Sequence, residues 1–599
     1  MVIYYSLDEA VNVIDLPPNF ESLIIVGWDK ICENIVDNVV NAKKSNIKPH
    51  IIAFDGFLGV QWENIIGKIT KLLRERKLNY AVKDFSQCFL PGLKIKEIIT
   101  PYISYKSFGY VFKGRLENLL DENKVEKLKV ELKNYKKQSG LDAVLCFGCG
   151  SAIPYLRRLY DHVYYFDLTR EELFNESERR PIHLFGSEES SPPVHADLKR
   201  FYYVESQLLN KQKKYLMKHM DWYVESNFTK EPKLIPKKVY DALLSTISNY
   251  PFKIKPLYYP VTWGGNWLKE IKHLPNTMPN SGQACIVASE NSIRIKVSEK
   301  VIEMPFINLM WHEADNILGM EHSKKFNGEF PFTYWYDDGI EGGNMAIQVH
   351  PNTSYIKKHF NEPIRQDESY YILHTGPGSK TYLGLKDDVN IEEFYEDAAR
   401  SEKLGVPLDY EKYVNSIPTK MGDYFLIPAG TVHASGRNQA VLEVDSGIAA
   451  HSPGYTFHIY DYLKPDLDGK LRDIHLEHAF NVLKGYRRAS WVKKNLQQTP
   501  TLIRSGEDWA EYLLGRRKDM FFEVRRLEFQ KKIEDSTNGV LTILSLVEGE
   551  NVLIHSKSNQ RFKCELQFPD TATIPACFGE FLIVNLGEKP CKVLKALLK

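Results

Sequence analysis

The chain has 599 residues, 43% hydrophobic and 26% charged, so it can bury several ordinary cores and falls in the soluble globular class. Its 78 Lys and Arg against 77 Asp and Glu leave a formal net charge of +1, without the basic excess of a general nucleic-acid binder. No apolar run approaches the roughly 18 residues of a membrane span, and "MVIYYSLDEAVNVIDLPPNF" lacks the basic-then-apolar layout of a signal peptide. Eight cysteines in so long a chain do not make a disulfide framework. Only Cys146 and Cys149 have Cys-x-x-Cys spacing, without a second pair, and they read as structural thiols in a reducing, cytoplasmic compartment.

Taken in order, residues 1–215 alternate strand-like runs with amphipathic ones. "NFESLIIVGWD", "KPHIIAFDGFLGV", "LDAVLCFGCG" and "HVYYFDLT" read as strands, and "QWENIIGKITKLLRERKLN" as a helix, a pattern that predicts crossover units on a parallel sheet. Residues 216–254 read as a helical connector. From about 255 to 489, short strands punctuated by Gly, Pro and Asn predict a β jelly roll, with a helical insertion near 390–415. Residues 490–599 read as a second, smaller jelly roll after the helical "IHLEHAFNVLKGYRR". The expected fold is thus multidomain: an N-terminal α/β parallel-sheet domain followed by two β jelly-roll domains with helical insertions.

Two motifs come close to known chemistry and miss. "IIAFDGFLGVQWENIIGKI" has the strand, glycine turn and helix of a phosphate-binding loop. Placing Gly56 or Gly59 in that motif puts Gln61, Trp62 and Glu63 where Gly, Lys and Ser or Thr should stand. With "RRLYDHVYYFDLTREELFNESERR", the texture resembles the nucleoside-kinase branch of phosphate-loop proteins, here as a degenerate fold without phosphoryl transfer. "HEADNILGMEH" nearly spells a zinc-protease helix, but Asn316 replaces the second histidine of the pair that must share one helix face.

A third constellation is more complete. In "GGNMAIQVHP", Gln348 and His350 stand at i and i+2, on one face of a strand. Glu368 opens the strand of "RQDESYYIL", and His433 follows a Pro-Ala-Gly turn in "GDYFLIPAGTVHAS". Gln, His, Glu and His give mixed N/O ligation with one anion, which suits one divalent cation. Zinc fits best, with iron, manganese and nickel open.

"MAIQVHPNTSYIKKHF", "DESYYILHTGPGSKTYLGLKDDV", "GDYFLIPAGTVHASG" and "TFHIYDYLKPDLDGKLRDIHLEHAF" resemble the type I mannose-6-phosphate isomerases, a cupin family, over roughly residues 255–599. The resemblance implies zinc held by Gln348, His350, Glu368 and His433, and a metal-free C-terminal jelly roll. It implies an aldose–ketose isomerase taking mannose 6-phosphate to fructose 6-phosphate, with a small sugar phosphate as partner. Moving a proton between C1 and C2 needs a base and cations for the phosphate. Glu443 matches the family's Glu after the His turn. His458, Gln366 and Tyr334 stand where the family has Arg, Lys and Lys. His458 is then a candidate acid/base with a pKa near neutrality. Arg437, Arg365 and Lys380 are the cations near the site in sequence. The catalytic set reads as His458, Glu443 and Arg437. The alternative is a divergent cupin acting on another sugar, or a non-enzymatic sugar or nucleotide sensor.

Overall fold

The computed structural model describes residues 5–46, 49–104, 107–137, 140–188, 190–447, 455–466 and 469–599. It divides into two compact units. One comprises Val13–Thr246 with Arg294–Asn308; the other comprises Ile247–Ile293 and Leu309–Lys599, with the residues up to Asn12.

The first unit is built on a seven-stranded sheet in the order Ile25–Val26, Lys233–Pro236, Trp222–Glu225, His162–Asp167, His50–Gly56, Ala143–Phe147, Tyr80–Asp84. The five strands from Trp222–Glu225 to Tyr80–Asp84 are parallel, and the two at the other edge are antiparallel. His50–Gly56 lies in the middle of the five parallel strands and is buried at every position, as a strand covered on both faces must be. Helices Trp28–Lys44 and Trp62–Glu75 turn stripes such as Ile31, Ile35, Val39 and Ile65, Ile69, Leu73 into the core. Residues 216–254 differ from the expected helical connector. Trp222–Glu225 and Lys233–Pro236 are strands of this sheet, and only Lys237–Ile247 is a helix. The runs "WYVE" and "KLIP" are too short to stand out beside the amphipathic helix that follows them.

The glycine turn after the central strand holds a carboxylate of its own chain. The backbone N–H groups of Gly56, Gly150 and Ala152 donate to Asp55 at 2.7, 2.8 and 3.0 Å, and the Gln212 amide adds a fourth bond at 2.8 Å. Burial nevertheless lifts the Asp55 carboxyl to about 6. Cys146 is buried, its thiol pushed up to about 12 by desolvation, and all eight cysteines are free.

The second unit contains two β-domains. Between residues 257 and 498, a seven-stranded sheet faces a five-stranded one. The first runs Gln497–Gln498, Tyr424–Ile427, Glu368–Thr375, Gln439–Ser446, Phe332–Asp338, Gln283–Ile286, Leu257–Tyr259. The second runs Val414–Pro418, Lys380–Leu385, His433–Ser435, Ile347–Val349, Phe457–Tyr460. Every neighbouring pair in both sheets for which a register is given is antiparallel. The expected helical insertion is Ile391–Leu404, capped by Asn390 and ended by Gly405 in the left-handed region. The C-terminal β-domain pairs a six-stranded with a four-stranded sheet. The near-protease segment forms helix Phe306–Leu318, kinked at Glu313. His312 pairs with Glu313 at 2.7 Å while His322 meets the Lys599 carbonyl at 3.2 Å, so the two histidines serve different partners. Among the described residues, no helix is long and apolar enough to cross a membrane.

Candidate metal centre

The candidate ligands come from both sheets of the larger β-domain and meet between them. Gln348 sits on the strand next to the edge of the five-stranded sheet, opposite His433 on the middle strand and His458 on the edge strand. His350 follows directly after that strand. Glu368 opens its strand in the seven-stranded sheet, opposite Ile427. All four are buried: His433 is 0% exposed, Glu368 1%, His350 2% and Gln348 7%.

Glu368 lies between the two imidazoles, its Oε1 2.5 Å from His350 Nε2 and its Oε2 2.9 Å from His433 Nε2. The other ring nitrogens are fixed by backbone carbonyls. His350 Nδ1 donates to Tyr455 at 3.2 Å and His433 Nδ1 to Thr431 at 2.9 Å. A carbonyl only accepts, so the neutral rings carry their protons on Nδ1 and turn Nε2 lone pairs inward, the tautomer a metal needs. His350 Nε2 and Glu368 Oε2 are buried without a hydrogen-bond partner. The Gln348 amide lies 3.3 Å from His433 Nε2, and a half-turn of that amide presents its oxygen instead. His350, Glu368 and His433 each bring a ligand atom within 4.8 Å of the others. Burial opposes charge on Glu368, yet the two histidines hold its carboxyl well below the ordinary range. Burial likewise favours neutral His350, and Glu368 overrides it and raises its pKa.

The local sequence explains why these side chains converge. The turn Pro428–Ala429–Gly430–Thr431 must bend sharply to deliver His433, and Gly430 takes φ +89, where a Cβ would strike Lys484 Cγ at 2.8 Å. The Gly430 N–H donates to the His350 carbonyl at 2.8 Å, which ties the two histidine segments together. The Ala429 N–H donates to Asp367, next to Glu368, at 2.8 Å. Arg487, buried, completes the clamp: its NH1 reaches the Pro428 carbonyl at 2.6 Å, the Ala429 carbonyl at 2.8 Å and the Thr431 hydroxyl at 2.6 Å. Arg487 stands at the end of a stretch that reads only as helical in sequence, and its role follows from the turn it grips.

The remaining candidates separate. Glu443 is buried on Gln439–Ser446, opposite Tyr370 and Trp335, with Oε2 unpartnered. It lies with Glu368 and Asp445 in a second group whose ligand atoms fall within 4.8 Å of one another. Burial, then Asp445 and Glu368, push its carboxyl well above the usual range. Asp337, beside this group, is pushed up to about 7 by burial. Asp445 and Asp337 were missed in sequence, although Asp445 stands at i+2 from Glu443 and therefore shares its face. His458 is opposite Gln348, but loss of hydration, then Arg472, drive its pKa down to about 3. It is a neutral imidazole rather than the near-neutral titrating group expected. Arg365 is held by Asp367 at 2.9 Å and Lys380 by Glu411. Arg437 is exposed on the turn after His433–Ser435. Its backbone N–H is held by Asn344 at 2.8 Å, and its guanidinium meets no carboxylate among the described residues. Gln366 donates to Glu368 at 2.9 Å and to Asp445 at 3.1 Å.

Residues 27–249 match a family model described as a domain of unknown function (DUF8485). The chain is 24% identical over 343 residues to mannose-6-phosphate isomerase ManA of Bacillus subtilis (strain 168), a match spanning 56% of this chain and 97% of that protein. It is 27% identical over 263 residues to mannose-6-phosphate isomerase of Streptococcus mutans serotype c, spanning 43% of this chain and 76% of that protein. Among solved structures, mannose 6-phosphate isomerase from Bacillus subtilis is similar with a TM-score of 0.45 and 19% identity, over 58% of this chain and 99% of that one. Relatives of a little over half of this chain are thus isomerases.

Proposed function

We propose that residues 255–489 form a metal-dependent aldose–ketose isomerase of a sugar phosphate, taking mannose 6-phosphate to fructose 6-phosphate. One observation carries the reading: two buried histidines, each with Nδ1 tied to a backbone carbonyl, turn Nε2 toward one carboxylate in a chain similar to mannose-6-phosphate isomerases.

The donor set of two imidazoles, a carboxylate and an amide fits zinc, with Gln348, His350, Glu368 and His433 as its holders. A bound divalent cation supplies Lewis acidity at the sugar's C1 and C2 oxygens. The chain's own residues do the rest. Glu443, with a free buried Oε2, takes the proton from one carbon and returns it to the other. His458 contributes an uncharged ring beside Gln348. The walls of the two sheets keep water from the enediol, and Arg437 offers a guanidinium to the phosphate.

A second reading, another sugar substrate on the same centre, is favoured by the interior itself. Gln366 and His458 stand where the resemblance expects cations, Tyr334 lies on the opposite face of its strand, and Asp337 and Asp445 add buried carboxyl groups. The test is metal content of the purified chain, with mannose 6-phosphate turnover measured with and without chelator and in His350→Ala. Bound metal with turnover abolished by both treatments supports the isomerase. Bound metal without turnover on mannose 6-phosphate, but with turnover on another hexose, selects the second reading. Absence of metal overturns both.

A further inference from the structure

Beside the histidine centre lies a group of carboxylates that the isomerase reading leaves without a counter-charge. Glu443 and Asp445 stand at i and i+2 on Gln439–Ser446. Their register partners are Trp335 and Thr333 on one neighbouring strand and, for Glu443, Tyr370 on the other. Glu368 is two residues before Tyr370, so all three carboxylates share the inner face of one sheet. Asp337, two residues after Trp335, joins them on that face. Exposure is 5% for Glu443, 2% for Asp337, 1% for Glu368 and 0% for Asp445.

Neutral donors serve part of the group. Gln366 bonds Asp445 Oδ2 at 3.1 Å and Glu368 Oε1 at 2.9 Å, the Thr333 hydroxyl lies 3.4 Å from Asp445 Oδ2, and Gln283 bonds Asp337 Oδ1 at 2.8 Å. The outer oxygens face one another: Glu443 Oε2, Asp445 Oδ1 and Asp337 Oδ2 are buried and reached by no donor from the rest of the chain, so without a cation only a proton held between Glu443 and Asp445 or Asp337 joins them. Among the described residues, no Lys or Arg forms an ion pair with any of these three. A buried carboxylate without a partner costs several kcal/mol, and several facing one another cost more. Glu368, Glu443 and Asp445 already bring ligand oxygens within 4.8 Å of one another, the spacing of an oxygen-lined cation site.

We propose that Glu368, Glu443 and Asp445 hold a second divalent cation, with Asp337 beside it, so that Glu368 is shared between two metal ions. This rests on the reading of His350, Glu368 and His433 as ligands, and not on which sugar is turned over; it makes Glu443 a ligand in place of the proton carrier proposed above. The two sites differ in chemistry. The histidine site is mixed nitrogen and oxygen, whereas the carboxylate site is oxygen only and takes a hard ion such as Mg2+ or Mn2+. With both sites filled, the second ion would add Lewis acidity and positive charge beside the substrate, where Gln366 and the neutral His458 provide none.

The test strips the full-length chain with chelator, dialyses it against Mn2+ alone and counts bound Mn2+. The expected result is two ions per chain in the unaltered protein and one in Asp445→Asn. In the unaltered protein the electron paramagnetic resonance signal is expected to be that of an exchange-coupled pair, a readout that needs no variant to fold. One ion per chain, lost in His350→Ala, unchanged in Asp445→Asn and giving an uncoupled signal at saturating Mn2+, overturns the second site and leaves the histidine centre standing. No bound ion in the unaltered protein overturns both.

Discussion

The two β-domains of the larger unit solve the problem of buried charge in opposite ways. In the C-terminal domain the core is apolar throughout, with Leu527, Leu544, Ile554, Phe581 and Val593 all 0% exposed. Its buried carboxylates each meet a cation. Glu511 pairs with Arg525 at 3.0 Å and with Arg504, Glu523 with Arg525 at 2.5 Å, and the half-buried Asp535 pairs with Lys595 at 2.6 Å. In the domain that precedes it, Glu368 meets two histidines and the Gln366 amide, and among the described residues Glu443, Asp445 and Asp337 meet no Lys or Arg. One interior is complete as a folded object. The other brings carboxyl groups together without a counter-charge from Lys or Arg, and burial raises the carboxyls of Glu443, Asp445 and Asp337 accordingly.

The sharpest break between them is expected from the histidine centre. His350→Ala removes one ligand of the proposed site, and a metal's contribution of several kcal/mol to the transition state makes the expected loss of mannose 6-phosphate turnover roughly a thousandfold. Steady-state rates at saturating substrate, with metal counted in the same preparation, check it. The reverse experiment cuts the other core. Phe581→Ala removes a fully buried ring and is expected to cost about 3–5 kcal/mol, read from urea unfolding of the whole chain. Metal content should not change. A loss of bound metal in Phe581→Ala would mean that the two interiors are energetically one.

Arg487 tests a subtler point, because it belongs to neither set of ligands. It grips the Pro428, Ala429 and Thr431 oxygens and thereby sets the direction of His433. Arg487→Met keeps the apolar stem and loses the three bonds. Metal affinity is expected to fall roughly 10–100-fold, the usual effect of losing a group that orients a ligand. Competition with a chromophoric chelator measures it. An unchanged affinity would show that the turn's own geometry, with Gly430 in the left-handed region, suffices.

Sequence carries some of this architecture well and some hardly at all. Gln348 and His350 announce themselves through strand periodicity, and Glu368 and His433 lie at strand starts marked by polar or Pro-Ala-Gly turns, so the converging set was legible. Asp445 obeyed the same period from Glu443 but stood in "EVDSG", where a carboxylate beside a turn reads as solvated. His458 is the register partner of Gln348. Its protonation was misjudged, because loss of hydration and the charge of Arg472 are properties of packing rather than of spacing. The parallel sheet of the first unit followed from alternating patterns, whereas the edge strands "WYVE" and "KLIP" were hidden by their brevity. Arg487 had no local signal, since its partners are more than fifty residues away and are backbone atoms.

The smallest expected effect asks whether the C-terminal charges are paired in the sense claimed. Glu511 is 1% exposed. Burial alone would raise its carboxyl pKa; Arg504 and Arg525 more than reverse this and leave it depressed. A depressed carboxylate contributes stability that is present above its unfolded value, near 4.5, and is lost as pH falls through the folded value. Glu511→Gln keeps the shape and removes the charge, while Arg525 retains Glu523 and Arg504 retains Asp535. The expected cost at pH 7 is therefore only about 1.5 kcal/mol, that of a charge-assisted hydrogen bond. Urea unfolding of the unaltered chain and of Glu511→Gln, from pH 7 down to pH 3, should show the gap between them constant to about pH 5 and closing below it. A gap that persists undiminished at pH 3 would assign the loss to packing of the side chain, and the contrast between a charge-paired domain and a charge-open one would then rest on Glu523 and Asp535 alone.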